Sequence, residues 1–581
     1  MDTQFIALLE DQHQGALAPL QAEQWIAAGL ECRLSRDNVR VLVSRNAPTL
    51  DVPGRGLLIG QLFTKEGLPV IGSLDIDRTG ASLQDQLLEN FWGEYVLIET
   101  WPGNRVEFLR DPSGGLPCIY STGAGRRFVT SSILLASRLG LCLREVDWDF
   151  VLHTLVYPHL HSGRTGLRNV CELLPGVSLE IKSKATSTRM AWSPWTFVAP
   201  DRRYIDQDKA ATDVRNAVSL AVKSWAELDR SVLLELSGGL DSSIVAACLR
   251  QADAHTACCT MVAPMPETDE QQYARQVANY LRFELWSAEI DLDGAKYSFP
   301  PPDSIVPGMG ILHQPVDAAV AAVAKALNVM SLFSGAGGDS IFCYLRGATP
   351  AADALRERGL LASVNATRDL SNLHQCSLSQ AGKLAIMKLI RGPKPPRRPS
   401  LTLLARQSSD VPFDRHPWFD APRSALAGDQ ERIAELAGTQ SYRDGIARSA
   451  RWPMRYPLLS QPVLEACLGV PTWMWIAGGR DRAVARSAFG DALPSDILAR
   501  RSKGSYTRYY AAMLSRNREG MLRFLMDGML ASRGLLDLDG LRREASSTHD
   551  VGRPLNTRLF DLCMVENWVR HQGALSLSLM A

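Results

Sequence analysis

The 581-residue sequence lacks the features that mark several classes of protein. No apolar run reaches the length that crosses a membrane, and the residues after Met1 form no signal peptide. The 63 basic and 62 acidic residues give a net charge of +1, so nothing favours nucleic acid or an anionic membrane as a general partner. We therefore expect a cytoplasmic protein that binds neither nucleic acid nor membranes.

The 11 cysteines form no CxxC pair, so the spacing typical of zinc sites is missing. They are scattered along the chain, and Cys258 and Cys259 stand side by side in a strand-like run. We expect reduced, mostly buried thiols rather than a disulfide framework. The chain is also too long for one compact core, which predicts two or more domains.

Residues 233–243 read Leu-Leu-Glu-Leu-Ser-Gly-Gly-Leu-Asp-Ser-Ser. A short apolar run, a Ser-Gly-Gly turn and an apolar-periodic continuation predict a buried strand, a tight loop and the start of a helix. Glycines let backbone N–H groups approach a ligand, and a helix N-terminus adds free donors and partial positive charge. Together these features predict a phosphate site. Its candidate residues are Leu236, Ser237, Gly238, Gly239, Ser242 and Ser243.

Asp241 is unexpected in a phosphate site because a bare carboxylate would repel the anion. It is explained if it holds a Mg²⁺ that bridges to the phosphates. The Gly-Lys-Ser/Thr ending of a Walker A loop is missing, and an ordinary strand-to-helix turn is the alternative. The full Ser-Gly-Gly-Leu-Asp-Ser-Ser stretch, however, resembles the pyrophosphate loop of ATP pyrophosphatases, the enzymes that make adenylates from ATP.

A second apolar run meets a glycine-rich loop over residues 329–342. Ser334 and Gly335 open this loop, and it carries one acidic residue, Asp339. If the two loops follow neighbouring strands, Asp241 and Asp339 would hold one Mg²⁺ between them. The repeated pattern makes an ordinary glycine-rich turn a weaker alternative.

Strand-like and helical segments alternate after residue 205, which predicts an α/β domain with a doubly wound parallel sheet. Ligands of such sheets bind beyond the carboxyl ends of the strands. Thr260 and Met261 end the strand that follows the first loop, so both are candidates for contacting the adenosine of ATP. The alternative is that they belong to a buried strand with no ligand.

Residues 1–200 carry short strand candidates separated by turns, which predicts a β-rich domain. These segments, including Arg-Asp-Pro-Ser-Gly-Gly-Leu-Pro at 110–117, resemble the N-terminal glutaminase domain of asparagine synthetases. The resemblance implies an Ntn-type sandwich. That activity needs a cysteine directly after Met1, where this chain has Asp2, and the first cysteine is Cys32. We expect a degenerate domain without glutamine hydrolysis.

Residues 205–581 are expected to form the adenylating domain, after a linker near 192–201. Residues 346–440 read as a variable insertion. Within it, the basic and proline-rich stretch 391–399 predicts a mobile surface loop, with docking of a peptide as the alternative.

Cations are expected near the departing pyrophosphate because they stabilise the charge that develops in the transition state. Lys503 is the main candidate and is grouped with Asp241 and Asp339 as catalytic. It stands in a Lys-Gly turn and matches the conserved lysine of β-lactam synthetases. Arg480 and Arg482 are further candidates for binding the nucleotide, with surface arginines that face water as the alternative.

The chain as a whole resembles the asparagine synthetase-like amide-forming enzymes, and among them the lasso peptide cyclases. The stretches that carry this resemblance are 334–344, 456–462 and 478–486. The resemblance implies that a peptide Asp or Glu side chain is adenylated with Mg²⁺ and ATP, and that the peptide's N-terminal amine then closes an isopeptide ring. It also implies three partners: a precursor peptide, a leader-binding protein and a leader peptidase.

Three alternatives are open. A β-lactam synthetase would use the same adenylating core, although Ala336 stands where asparagine synthetases and β-lactam synthetases carry Glu or Tyr. An asparagine synthetase that uses ammonia is the second alternative. The third is a binding scaffold that has lost catalysis, against which the presence of Asp241, Asp339 and Lys503 argues.

Overall fold

The computed structural model describes fifteen stretches of the chain. They are residues 3–9, 22–36, 38–74, 76, 82–123, 127–182, 185–263, 270–294, 304–308, 310–345, 347–406, 410–440, 447–501, 507–545 and 554–580.

The strands of these residues form two antiparallel sheets and one parallel sheet. In chain order they are β1 (Phe5–Leu9), β2 (Leu30–Arg36), β3 (Val39–Ser44), β4 (Thr49–Val52), β5 (Gly56–Thr64), β6 (Phe91–Trp101), β7 (Arg105–Arg110), β8 (Ile119–Ser121), β9 (Arg127–Thr130), β10 (Val170–Glu172), β11 (Val177–Lys182), β12 (Ala185–Met190), β13 (Ser231–Glu235), β14 (His255–Val262), β15 (Leu285–Glu289), β16 (Ser331–Ser334) and β17 (Met454–Arg455).

Twenty-one α-helices lie among the described residues. They are α1 (Ala22–Ala27), α2 (Leu83–Asn90), α3 (Ile133–Arg138), α4 (Trp148–Val156), α5 (Pro194–Phe197), α6 (Gln207–Asp229), α7 (Leu240–Leu249), α8 (Gln271–Leu281), α9 (Gly310–Ala326), α10 (Gly338–Ile341), α11 (Thr349–Arg358), α12 (Leu360–His374), α13 (Leu378–Arg391), α14 (Ala427–Gln440), α15 (Gln461–Leu468), α16 (Ala483–Ala488), α17 (Ser495–Ala499), α18 (Thr507–Met526), α19 (Met529–Ser532), α20 (Leu538–Ala545) and α21 (Pro554–Met580). Short 3₁₀ helices cover Pro200–Arg202, Pro417–Phe419, Ala447–Ala450, Pro457–Leu459 and Met474–Gly479.

The N-terminal part is a sandwich of two six-stranded sheets, ordered β10-β8-β9-β1-β3-β2 and β12-β11-β7-β6-β5-β4. Alternate residues of each strand face the space between the sheets. In β1, Phe5 and Ala7 lie in the core between the sheets, while Ile6 and Leu8 face helices on the outer side. Both faces of β1 are therefore buried, and the predicted β-rich fold is confirmed.

The second part contains a five-stranded parallel sheet ordered β15-β14-β13-β16-β17. The chain moves outward from β13 to β15 and then returns to the other side of β13 at β16. The predicted doubly wound α/β fold is confirmed. β13 is central, and Val232 and Leu234 pack on one face while Leu233 packs on the other. The loops after β13 and β16 lie at the point where the strand order reverses, which is where such sheets bind ligands.

Helix α6 leads into β13 and buries one periodic face. Its buried residues include Val214, Val218, Ala221, Val222 and Trp225. Arg455 of β17 lies with its guanidinium carbon 3.9 Å from the Trp225 ring centroid. The same guanidinium pairs with Asp229 at 2.9 Å and with Glu94 of the sandwich at 2.9 Å, so it ties the two parts of the chain together.

The loop over residues 391–399 lies at the surface, as predicted, but hydrogen bonds attach it to neighbouring elements. The Lys394 backbone N–H donates to Glu431 at 2.8 Å, and the Arg397 guanidinium donates to the carbonyl of His159 at 3.3 Å. Just beyond the loop, the Ser400 N–H donates to the carbonyl of Val156 at 2.8 Å.

The buried carboxyl of Asp353, in α11, predicts a pH dependence of stability. Burial, and then the negative charge of Asp429, raises the pKa of Asp353 to about 7. The unfolded chain loses this proton at lower pH than the folded chain, so the stability that protonated Asp353 contributes in acid is lost as pH rises through about 7. In the parent chain this group should lower the free energy of unfolding by a few kcal/mol between about pH 4 and 7. We expect the Asp353→Asn protein to lack this decrease.

The measurement is denaturant unfolding across that pH range. The matched control is Asp253→Asn, because the Asp253 side chain is 91% exposed. An unchanged pH profile in the Asp353→Asn protein would contradict this prediction.

Candidate active site

The first glycine-rich loop is held beside β14. The Leu236 N–H donates to the carbonyl of Cys259 at 2.8 Å, and the Leu236 side chain is buried, so only its backbone can face a ligand. Gly238 has φ +71°, and a Cβ at this position would lie 2.5 Å from the Tyr273 Cβ. A side chain at 238 is therefore excluded both by backbone conformation and by space.

The serines of this loop form hydrogen bonds that stabilise the start of α7. The Ser237 hydroxyl lies 3.1 Å from the Ser242 hydroxyl and accepts the Gly239 N–H at 3.2 Å. The Ser243 hydroxyl donates to the carbonyl of Gly239 at 2.7 Å, and Ser243 is fully buried. Ser242 and Ser243 therefore shape the loop, whereas Ser237 is exposed, and its contact with phosphate stays a prediction.

The second loop follows β16 and lies directly against the first. A Cβ added to Gly335 would lie 2.6 Å from the Ser242 nitrogen, and one added to Gly338 would lie 2.4 Å from Asp241 Cγ. These close approaches allow only glycine at both positions. Because β13 and β16 are neighbours, the structure brings Ser334, Gly335 and Asp339 beside Asp241.

One arginine contacts both aspartates. Arg482 Nη1 lies 3.0 and 3.2 Å from the two carboxylate oxygens of Asp241, and 3.3 Å from Asp339 Oδ1. Burial opposes the charge on Arg482, but Asp241, Asp481 and Asp339 outweigh it and raise the pKa of the guanidinium. The predicted pair of carboxylates therefore lies within reach of one shared cation.

The residues at this position fit a magnesium ion. Carboxylate oxygens are the ligands that Mg²⁺ prefers, and it commonly takes one or two of them together with water and substrate phosphates. In the described stretches no group of three or more His, Cys, Asp or Glu side chains could hold a metal by itself. A pair of aspartates beside a phosphate loop matches the one or two carboxylate ligands that a protein commonly gives to Mg²⁺. The metal role of this pair stays a prediction.

The candidates for contacting adenosine lie one strand away. Glu235 at the end of β13 pairs with Cys259, so Thr260 and Met261 extend β14 past the start of the loop. Thr260 is buried, and Met261 is half-buried. Their role in binding the nucleotide stays a prediction.

The other two cation candidates differ from Arg482. Lys503 lies outside the described residues. Arg480 is exposed after the 3₁₀ helix Met474–Gly479, and within the described part of the chain no hydrogen bond or ion pair joins it to either loop. The structure therefore brings Arg482, and not Arg480, to the two aspartates.

Arg500 was not singled out from the sequence but contacts the first loop. Its guanidinium donates to the carbonyl of Gly238 at 3.2 Å and to Glu270 at 2.7 Å, and its carbon lies 3.8 Å from the Tyr273 ring centroid. The sequence signal was only a pair of adjacent arginines, Arg500 and Arg501, which does not say which one turns inward.

We expect Arg500→Ala to raise the KM for ATP about tenfold with a smaller effect on kcat, because the loop loses a hydrogen bond from a charged donor. Steady-state pyrophosphate release measures both constants. Arg275→Ala is the matched control, since Arg275 is exposed on the neighbouring α8. An unchanged KM in the Arg500→Ala enzyme would show that the loop keeps its shape without this contact.

A second buried arginine lies at the carboxyl end of β13. Arg448 pairs with Glu235 and with Asp317 of α9. Burial opposes its charge, but these two carboxylates outweigh burial and raise the pKa of Arg448. Burial, and then the charge of Arg448, lowers the pKa of nearby His313 to about 4, so this imidazole is neutral. Sequence patterns did not indicate this cluster because its members are far apart along the chain.

Comparison with known proteins decides the family. Residues 213–570 match the family model described as asparagine synthase, which is more than half of the chain. The chain belongs to the asparagine synthase family. As a member of that family it is an ATP-using, amide-forming ligase of the asparagine synthetase-like type. No curated protein sequence matches the chain.

Two solved structures are similar to this chain over part of its length. One is titled as the allosteric regulatory enzyme of purine biosynthesis, with 9% identity over 50% of this chain and 74% of the other, and a TM-score of 0.20. The second is the glutamine phosphoribosylpyrophosphate amidotransferase from B. subtilis complexed with ADP and GMP, with 11% identity over 57% and 84%, and a TM-score of 0.20. Because a TM-score of 0.20 is low, neither structure supports a conclusion about this member of the asparagine synthase family. Its described helices include none that could span a membrane.

Proposed function

We propose that this enzyme closes a macrolactam ring in a peptide, as lasso peptide cyclases do. In this proposal an Asp or Glu side-chain carboxylate of the peptide is activated with ATP, and the peptide's N-terminal amine then forms an isopeptide bond with it. The observation that carries the ATP step is the contact of Asp241, Asp339 and Arg482 beside the Gly238 loop.

The three stretches that resemble lasso peptide cyclases meet in space, which supports the choice of a peptide substrate. Asp339 and Tyr344 come from the first, and Arg482 from the third, with its guanidinium carbon 5.2 Å from the Tyr344 ring centroid. A Cβ on Gly337 of the first stretch would lie 2.6 Å from the Leu459 side chain of the second. The stretches that carry the resemblance to lasso peptide cyclases therefore lie around one site.

The first step joins the carboxylate oxygen to the α-phosphorus of ATP and breaks the bond to the β-phosphate oxygen, which releases pyrophosphate. The loop N–H groups and the positive charges of Arg482 and Arg500 are suited to the oxygens of that leaving group. Bound Mg²⁺, held by Asp241 and Asp339, would neutralise phosphate charge during this step. The product is an acyl-adenylate, whose AMP is a good leaving group.

The second step joins the peptide's amine nitrogen to the activated carbonyl carbon, and AMP leaves while the amine loses a proton. The protein's main contribution here is to hold amine and carbonyl together, which can contribute about 7–11 kcal/mol. Water must be excluded because it would hydrolyse the adenylate. We propose a precursor peptide as substrate, with a leader-binding protein and a leader peptidase as partners that prepare it.

The test compares three substrates with the purified full chain and Mg-ATP. They are a linear peptide with a free N-terminus and an internal Asp or Glu, a small β-amino acid, and aspartate with ammonium. We expect AMP and pyrophosphate only with the peptide, together with a product lighter by one water. Ring closure of the β-amino acid would favour a β-lactam synthetase, and asparagine formation would favour an ammonia-using synthetase. Either outcome would overturn the proposal.

A further inference from the structure

Exposed large apolar side chains concentrate on the helical pair α12 and α13. Of the 17 that the described residues expose, eight lie between residues 360 and 401. They are Leu360, Leu361, Val364, Leu378, Leu384, Ile386, Ile390 and Leu401, and Ile390 is the most exposed of them at 79%. Exposed apolar residues scattered singly are ordinary, whereas such a concentration marks an interaction surface.

The two helices pack through their small residues. Their inner side buries Ala366, Ala381 and Ala385 around Leu370. A surface helix normally turns its large aliphatic residues inward. Here the alanines face inward and Ile386 and Ile390 face solvent, so the outer side offers apolar area that nothing in the described chain covers.

The helices run antiparallel, which places several of these residues together. Gln375, with φ +51°, ends α12, and α13 begins three residues later. A Cβ on Gly382 of α13 would lie 3.9 Å from the Thr367 side chain of α12. This pairing puts the start of α12 beside the end of α13. We call the surface formed by Leu360, Leu361, Val364, Ile386 and Ile390 the α12–α13 face.

Positive charge surrounds this face. Residues 370–409 contain seven Lys and Arg and no Asp or Glu, although the whole chain is nearly neutral. Lys388 pairs with Glu431, whereas Lys383, Arg391, Lys394 and Arg398 are exposed. Apolar area rimmed by charge of one sign fits an occupant that combines apolar and acidic side chains.

From this geometry we infer that the α12–α13 face is the docking site for an acidic amphipathic helix of a partner polypeptide. Such a helix would lay its apolar side on the exposed aliphatic residues and its carboxylates against the basic rim. The inference does not depend on which amide the enzyme forms.

Two other occupants fit less well. A second copy of this chain would bring two basic rims together, and like charges oppose such a contact. A membrane surface would favour aromatic anchors, but residues 360–401 contain no Trp, Tyr or Phe. An acidic protein segment satisfies both the charge and the aliphatic composition.

The face is also linked to the active site. Asp369 of α12 accepts hydrogen bonds from the backbone of Gly478 and Gly479. A Cβ on Gly479 would lie 2.6 Å from the Asn372 Cβ, so the helix and this glycine pair are in close contact. Arg482 follows Gly479 by three residues. A partner bound on α12 would therefore contact the same helix that packs against the segment leading to Arg482.

The test measures binding of a fluorescein-labelled synthetic helix, with leucines on one side and glutamates on the other, to the full chain by fluorescence anisotropy. A peptide with lysine in place of every glutamate is the charge control. The protein variants are Ile386→Glu/Ile390→Glu and Lys383→Glu/Arg391→Glu. The matched control is Leu68→Glu/Ile71→Glu, which changes two exposed apolar residues of the sandwich. Circular dichroism and thermal midpoints check that each variant is folded.

We expect the acidic peptide to bind the parent chain and the sandwich control equally, and each α12–α13 variant about tenfold more weakly. The interaction should weaken as salt rises. Equal binding of the lysine peptide, or binding unchanged in both face variants, would overturn the inference. Two further results would overturn it. One is binding of the parent chain to phosphatidylserine vesicles in a sedimentation assay, and the other is self-association in the ultracentrifuge, if either is lost in the Ile386→Glu/Ile390→Glu protein. If that variant fails to fold, the Lys383→Glu/Arg391→Glu protein decides.

Discussion

Asp241→Ala is expected to lower ATP-dependent pyrophosphate release about 10³-fold or more, because the site would lose one of the two carboxylates that we expect to hold the Mg²⁺ beside the phosphates. The fold should survive the change. Arg482 keeps contacts of 3.3 Å to Asp339 and 3.7 Å to Asp481, and Asp241 lies in the first turn of α7, where its carboxylate contacts Arg482 rather than an apolar core. The measurement is pyrophosphate release with saturating Mg-ATP and substrate.

Asp253→Ala is the control, since it removes an exposed carboxylate just beyond the same α7 helix. The double variant Asp241→Ala/Asp339→Ala should lose little more activity than Asp241→Ala alone, because residues that act as a unit are not additive. Equal background release from the parent and the Asp241→Ala protein would instead support a binding scaffold without catalysis.

Arg448→Met is expected to lower the free energy of unfolding by about 3–5 kcal/mol. The change leaves Glu235 and Asp317 buried without the cation that they share, and an uncompensated buried charge is costly. Denaturant unfolding followed by tryptophan fluorescence measures the loss.

Arg451→Met is the matched control, because Arg451 is exposed three residues further along the chain. The triple variant Arg448→Met/Glu235→Gln/Asp317→Asn should recover part of the lost stability, since it also removes the two carboxylate charges that Arg448 balances. If Arg448→Met is as stable as Arg451→Met, the ion pairs of Arg448 do not stabilise the fold.

These two predictions differ in how far the sequence alone could support them. Asp241 and Asp339 each follow an apolar run and a glycine-rich turn, and that local pattern predicted both loops and their closeness. The structure agrees because β13 and β16 pair in parallel from Val232–Ser331 to Glu235–Ser334. By contrast, Arg448 meets Asp317 across 131 residues and Glu235 across 213, and no local pattern reports contacts over such separations.

The three arginines of residues 480–486 show the same limit. The sequence presents Arg480, Arg482 and Arg486 as similar cations. In the structure Arg480 is exposed, Arg486 pairs with Asp481 at 2.6 Å, and only Arg482 reaches both aspartates. Arg482 adopts φ +51° at the start of α16, a backbone conformation that is uncommon for a residue other than glycine.

The sequence by itself determined the α/β class, the strand–loop–helix units and the two acidic loops, since apolar periodicity and glycine spacing act over a few neighbouring residues. It also indicated the family before any fold was known. Only the tertiary structure decided which cations stand against those loops and which helices leave their aliphatic side uncovered. The cations reach the loops across more than 200 residues of sequence. The uncovered side of α12 and α13 depends on which elements of the whole fold pack against them, so neither feature follows from a local pattern.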